Sequence, residues 1–153
     1  MAIALGVALV AQDFEAGMRA YQKQDYATAA KEWTPVAEHG SAQAQFNLGL
    51  LYYEGRGVPQ DFETAARWFQ RAANQGFDRA QRNLGEMYAV GKGVKRDYAE
   101  AYKWFSICAA GGSAPCRDFR DQMGEKLSGK KLAAAQRLAR EWKAKAEGQT
   151  SRQ

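Results

Sequence analysis

One offset governs this sequence. Ala44-Gln45-x-Asn47-Leu48-Gly49-x-x-Tyr52 returns 36 residues later as Ala80-Gln81-x-Asn83-Leu84-Gly85-x-x-Tyr88. At the same distance Gly55-x-Gly57-Val58 returns as Gly91-x-Gly93-Val94, and Asp61-Phe62-x-x-Ala65-x-x-Trp68-Phe69 returns as Asp97-Tyr98-x-x-Ala101-x-x-Trp104-Phe105. Backwards, the offset carries Asp61-Phe62, Ala65-Ala66 and Gly76 onto Asp25-Tyr26, Ala29-Ala30 and Gly40; forwards, it carries Gly76 onto Gly112. A fixed period of this length means that one supersecondary unit is copied along the chain.

Each copy reads as two helices. Leu48, Leu51 and Tyr52 mark one apolar stripe at helical spacing, and Phe62, Ala65, Ala66, Phe69 and Ala73 mark another. Composition agrees: 29 alanines against 12 Ile, Val and Thr together favour helix over sheet. Gly55 and Gly57 end the first helix, where glycine takes a left-handed conformation at little cost, and Val58 folds back as the apolar clamp. Asp61 and Asp97 stand at N-cap positions, Asp97-x-x-Glu100 has capping-box spacing, and Gly76 and Gly112 close the second helices. Gly49 and Gly85 fall mid-helix, where each costs about 1 kcal/mol against alanine. Close approach of a bulky Trp or Phe from a neighbouring helix is the expected compensation. The first copy lacks the Gly-x-Gly loop and turns tightly at Gln24-Asp25. The predicted helices are 13–23, 26–39, 41–54, 61–75, 78–90, 97–110, 114–124 and 130–146.

The stretch AQFNLGLLYYEGRGVPQDFETAARWFQRAANQG and its copy resemble Sel1-like repeats, relatives of tetratricopeptide repeats, and the opening FEAGMRAYQKQDYATAAKEW resembles a tetratricopeptide hairpin. The resemblance covers about residues 13–112, and KLAAAQRLAREW is similar to the closing helix of small bacterial members. It implies an all-α solenoid of antiparallel hairpins at about 13–40, 41–76 and 77–112. Arg120 and Asp121 replace the Leu84-Gly85 pair in the next copy, so 113–146 is expected to be a capping hairpin. Phe119, Met123, Leu132, Leu138 and Trp142 form its expected core face, and 147–153 are read as a disordered tail.

Residues 1–12 carry an apolar, uncharged run, MAIALGVALVA, too short for the ~20 residues that span a bilayer. It reads as the remnant of a secretory signal peptide ending in small residues near Ala11, so the expected chain is exported, periplasmic or secreted, with no transmembrane anchor; a cytoplasmic chain with an apolar start is the alternative. The net charge is +5, with ten basic and five acidic side chains in 117–153. Acidic residues interleave throughout that segment, which favours a solvated helix face over nucleic-acid binding.

Catalytic and metal chemistry find little here. The one histidine, His39, stands at a helix end, where it faces the negative pole of the helix dipole. No H-E-x-x-H or P-loop occurs, and the Gly-x-Gly pairs lack the third glycine and the preceding strand of a dinucleotide fingerprint. One His and two Cys exclude most nitrogen- and sulfur-built metal sites. Trp68, Phe69, Trp104 and Phe105 fall on repeated helix-interior positions and read as core. Neither a cofactor nor a metal is expected.

Cys108 stands in the register of Ala72 and Cys116 in that of Ala80, both small inward positions facing each other across a turn. They are either two buried thiols or a disulfide; the apolar leader favours the bond. The seven-residue spacing is similar to that of cysteine-rich secreted members of the family.

Three function classes follow. The first is a non-catalytic, monomeric module that binds a protein or extended peptide. The resemblance implies that the first helix of each hairpin lines a concave groove, with Ala44, Leu48 and Tyr52 and their copies turned inward. Gln43, Asn47, Leu50, Tyr53, Arg79, Asn83, Glu86 and Val90 are then the candidate groove residues. The second is a cell-envelope enzyme, since some cysteine-rich relatives are associated with penicillin binding or weak β-lactamase activity, although no residue supplies a nucleophile. The third, nucleic-acid binding through the basic tail, is disfavoured.

Overall fold

The computed structural model describes the backbone of residues 14–150 and side chains up to residue 143. The apolar segment read as a leader lies outside the described residues. Eight helices and no strand are found among the described residues: α1 (14–22), α2 (Tyr26–Glu38), α3 (Ala42–Glu54), α4 (Phe62–Asn74), α5 (Asp78–Val90), α6 (Tyr98–Ala110), α7 (Ala114–Glu125) and α8 (Gly129–Thr150). These match the sequence expectation closely, except that α8 runs on to Thr150, past the predicted end at 146. The chain packs as two compact units, one up to Ala72 and one from Ala73 onward, with the boundary inside α4.

The first unit is organised around Trp33, which is 1% exposed. Its ring stacks on Phe14 at 6.1 Å and tilts against Tyr21 at 5.6 Å, while its Nε1 donates to the Phe14 carbonyl at 3.2 Å. Ala29, Ala30, Val36, Ala37, Ala44, Leu48 and Leu51 complete the core, with Val58 and Trp68 packed against it. The predicted tight turn is present: Gln24 is left-handed (φ 62°) and the Asp25 N–H closes onto the Ala20 carbonyl at 2.9 Å.

The long loop of each copy is shaped by its glycines. Gly55 (φ 67°) and Gly91 (φ 77°) cap α3 and α5 in the left-handed region, as expected. Gly57 (φ 69°) has a second constraint, because a β-carbon there would lie 2.2 Å from the Tyr26 carbonyl carbon. A backbone bond then locks each loop: the Asp61 N–H donates to the Tyr52 carbonyl at 3.0 Å, and the Asp97 N–H to the Tyr88 carbonyl at 2.9 Å. One atomic arrangement is thus built twice.

The acidic caps are in place. Asp61 Oδ1 accepts from the Glu63 and Thr64 N–H groups, and Asp97 Oδ1 from those of Ala99 and Glu100. The reciprocal half of the expected capping box is replaced, since the Glu100 carboxylate pairs with Lys103 Nζ at 2.5 Å. Lys103, one helical turn on, offers a full positive charge where the cap offers a neutral N–H.

Hydrogen bonds from the Thr64 hydroxyl and N–H hold the Asp61 carboxyl below the usual aspartate range, and Thr28 does the same for Asp25. A lowered folded-state value contributes stability that is present above the unfolded value and lost as pH falls through the folded one. Urea midpoints should therefore decline on acidification through and below the usual aspartate range. Asp61→Asn keeps the capping oxygen without the titration and should flatten that decline; an unchanged pH profile would remove Asp61 from it.

Candidate functional site

The expected groove residues of α3 belong to the first unit and those of α5 to the second. On α3, Ala44, Leu48 and Leu51 are buried and Tyr52 half-buried; on α5, Ala80, Leu84 and Met87 are buried and Tyr88 half-buried. The mid-helix glycines make the close approach expected of them. A β-carbon on Gly49 would lie 2.5 Å from the Phe69 ring, and one on Gly85 2.8 Å from the Phe105 ring. Each repeat thus seats an α4 or α6 phenylalanine on the bare backbone of the helix before it.

The candidate residues divide by environment. Gln43 and Arg79 are exposed, Asn47, Leu50, Tyr53, Asn83 and Glu86 are half-buried, and Val90 is 67% exposed. Tyr53 meets Phe62 edge-on at 5.3 Å and Phe69 at 6.4 Å, so one of its faces is already in the hairpin core. Glu86 is engaged by Arg82 at 2.9 Å. The two asparagines differ from these. Asn47 Nδ2 reaches only the Met18 sulfur, a weak acceptor, at 3.9 Å, and Asn83 makes no hydrogen bond to any described residue.

Gln45 and Gln81 recur within the repeated pattern, and their role emerges only from the fold. Both are 3% exposed, and their amide groups donate to the carbonyls of Ala37 (2.9 Å) and Ala73 (3.2 Å), near the end of the helix before. Helix ends leave carbonyls without intrahelical donors, and these glutamines supply donors from the next helix. The recurrence of Gln at one place in an apolar stripe was the signal that could have revealed it.

Cys108 and Cys116 form a disulfide joining the end of α6 to the start of α7, with their Cα atoms 5.9 Å apart, as the sequence favours. Both are buried among Ala101, Tyr102, Phe105, Met123 and Ala135. Of the capping hairpin's predicted core face, Met123 is buried and Phe119, Leu132 and Trp142 are half-buried, but Leu138 is 41% exposed. The α8 register explains this correction, because Ala135 and Leu132, not Leu138, pack against the second unit's core. His39 sits at the α2 C-terminus, where Nδ1 donates to the Pro35 carbonyl at 2.7 Å. Among the described residues no group of His, Cys, Asp and Glu could hold a metal ion, and no helix is long and apolar enough to cross a membrane.

The second unit also holds a cleft of about 660 Å³, lined chiefly by α6 and α8 with a contribution from the start of α5. Nothing in the sequence pointed to it, because its α8 wall lies outside the repeated segments.

A chain of copied helical hairpins with polar residues recurring at equivalent positions has the build of a repeat protein. The Sel1 repeat family matches residues 42–77 and 78–113. The chain superposes on c5321, a protective antigen of uropathogenic Escherichia coli strains displaying an SLR fold, with a TM-score of 0.80 and 31% identity, covering 87% of this chain and 29% of that one. A Sel1 repeat protein from Oxalobacter formigenes gives a TM-score of 0.68 and 32% identity, covering 74% of this chain and 88% of that one. Cysteine-rich protein B of Helicobacter pylori shares the fold at a TM-score of 0.57 and 24% identity, over 59% of this chain and 68% of that one. No curated protein matches. The chain belongs to the Sel1-repeat family, and its fold class is the all-α solenoid of those structures. It spans 29% of the length of c5321. Sel1-repeat proteins are typically protein-interaction modules.

Proposed function

We propose that this chain is a non-catalytic adaptor that captures a protein segment or extended peptide along the first helices of its repeats, α3 and α5. The observation that carries this reading is the asparagine pair. Asn47 and Asn83 occupy equivalent positions and are half-buried, yet one amide meets only a thioether and the other meets no described hydrogen-bond partner. A carboxamide offers two donors and an acceptor, the set an extended peptide backbone needs at regular intervals. Neither amide caps a helix, which is the structural role that would otherwise explain it. On α3, exposed Gln43 and half-buried Leu50 and Tyr53 accompany Asn47; on α5, exposed Arg79 and Val90 and half-buried Glu86 accompany Asn83. A single copy of the chain suffices for this capture.

Export is part of the same proposal. The buried disulfide suits an oxidising compartment, and the apolar first residues suit a cleaved leader.

The test starts from peptides selected on the wild-type protein out of a random library and titrated calorimetrically. Asn47→Ala combined with Asn83→Ala should weaken their binding by about tenfold or more, equivalent to 1.4 kcal/mol, with the melting temperature nearly unchanged. A double variant that melts several degrees lower but binds normally would make the asparagines structural braces and remove this site.

A further inference from the structure

We propose that the cleft in the second unit is a separate binding site, and that its occupant is a single-chain alkyl carboxylate. At about 660 Å³ the cleft lies within the range of sites that enclose small ligands. Its walls are largely apolar, with Tyr102, Ile107 and Ala110 of α6 facing Ala139 and Trp142 of α8. Trp142 is fixed there by an edge-on contact with Trp104 at 6.1 Å.

The polar groups of the lining select among apolar occupants. The Gln81 amide is committed to the Ala73 carbonyl, the Ser106 hydroxyl to the Tyr102 carbonyl at 2.7 Å, and the Gln136 amide to the Tyr102 hydroxyl oxygen at 3.4 Å. A peptide laid into the cleft would bring backbone donors and acceptors that these occupied groups serve poorly, at a substantial desolvation cost. An alkyl chain brings none.

An anionic head, in contrast, has partners. Tyr102 is 9% exposed, and because its hydroxyl oxygen accepts from Gln136, its own proton remains to be donated; no described residue takes it. Arg140 stands on the α8 wall one helical turn from Gln136, whereas Lys143, almost a turn further on, is engaged in a contact of its own. Arg120 also borders the cleft, but its guanidinium is shared with Asp121 at 2.7 Å. The acidic member of the lining, Asp78, belongs to the first turn of α5 and repels a carboxylate from that side. Charge and hydrogen-bonding capacity therefore assign the head to α8 and the Tyr102 hydroxyl.

The probe is decanoate below its micellar concentration, followed by calorimetry and by amide chemical shifts. The wild-type protein should bind one decanoate, with shifts concentrated at Tyr102, Ile107 and Ala139. Ala139→Trp, which fills the cleft from its rim, should abolish this binding. Arg140→Gln, a change confined to the outer helix wall, should weaken decanoate about tenfold, or 1.4 kcal/mol. It should leave the neutral analogue 1-octanol unaffected. Absence of saturable decanoate binding would overturn the proposal. So would equal binding by the charge variant and the wild type, or tighter binding of a short peptide ending in a free apolar residue. Since none of the proposed peptide-binding residues of α3 and α5 lines the cleft, the outcome is independent of peptide capture.

Discussion

Replacing Gly49 or Gly85 with alanine should destabilise the protein by about 1–3 kcal/mol each, the usual cost of forcing extra atoms into a packed interior. Helix propensity alone gives the opposite sign, since alanine is favoured over glycine by about 1 kcal/mol inside a helix. The geometry decides between them. The added methyl would lie 2.5 Å from the Phe69 ring in one repeat and 2.8 Å from the Phe105 ring in the other, and both rings are at most 1% exposed. Neither ring has room to retreat: Phe69 is held between Phe46 at 5.7 Å and Tyr53 at 6.4 Å, while Phe105 lies against Phe119 at 5.3 Å. Gly129 provides the control, because it opens α8 with no atom near its missing β-carbon, and its alanine variant should be neutral or slightly stabilising. Phe105→Leu should recover part of the Gly85→Ala loss in a double-mutant cycle on urea midpoints. If Gly49→Ala and Gly85→Ala both stabilise, the seating of the phenylalanines on bare backbone is wrong.

That contact was legible before any coordinates because it occurs twice. A glycine where propensity disfavours it, paired at a fixed distance with an aromatic in the next helix, has few explanations, and repetition removes chance. The helix ends were legible for the same reason, with Gly55 and Gly91 fixing where α3 and α5 stop and Asp61 and Asp97 where α4 and α6 begin. The features that escaped are those with a local competitor or without a copy. Glu100 had the spacing to complete a capping box, but Lys103 is a nearer and stronger partner. Leu138 looked inward from apolarity alone, and α8 has no second copy from which its register could be read. The cleft along α8 escaped for that reason too. Gln45 and Gln81 did have copies, but a buried amide in an apolar stripe declares itself only when the carbonyl it serves is located on the preceding helix. For the proposed groove, the sequence picks out residues of α3 and α5, but not that Tyr53 and Glu86 are partly engaged by their own neighbours.

Removing the Cys108–Cys116 bond should lower the stability of the second unit by about 2–3 kcal/mol, the chain entropy of a loop this short. The repeat supplies an unusually clean variant for the measurement. Cys108 stands where the previous copy has Ala72 and Cys116 where it has Ala80, and both of those alanines are fully buried. Cys108→Ala with Cys116→Ala therefore installs side chains the repeat already accommodates, with less cavity cost than an arbitrary truncation of a core residue. What remains is the freedom regained by the unfolded chain between α6 and α7. Urea unfolding of the double variant should shift its midpoint downward by the same amount as reduction shifts that of the wild type. Because both sulfurs are buried, reduction of the native protein should also require opening of the α6–α7 turn and be slowed by conditions that stabilise the fold. Intact mass under non-reducing conditions, on protein recovered from its native compartment, should be two hydrogens below the fully reduced value. Two free thiols there would contradict the bond in the cell and remove the strongest support for export; a double variant as stable as the wild type would show that the bond contributes nothing to the fold.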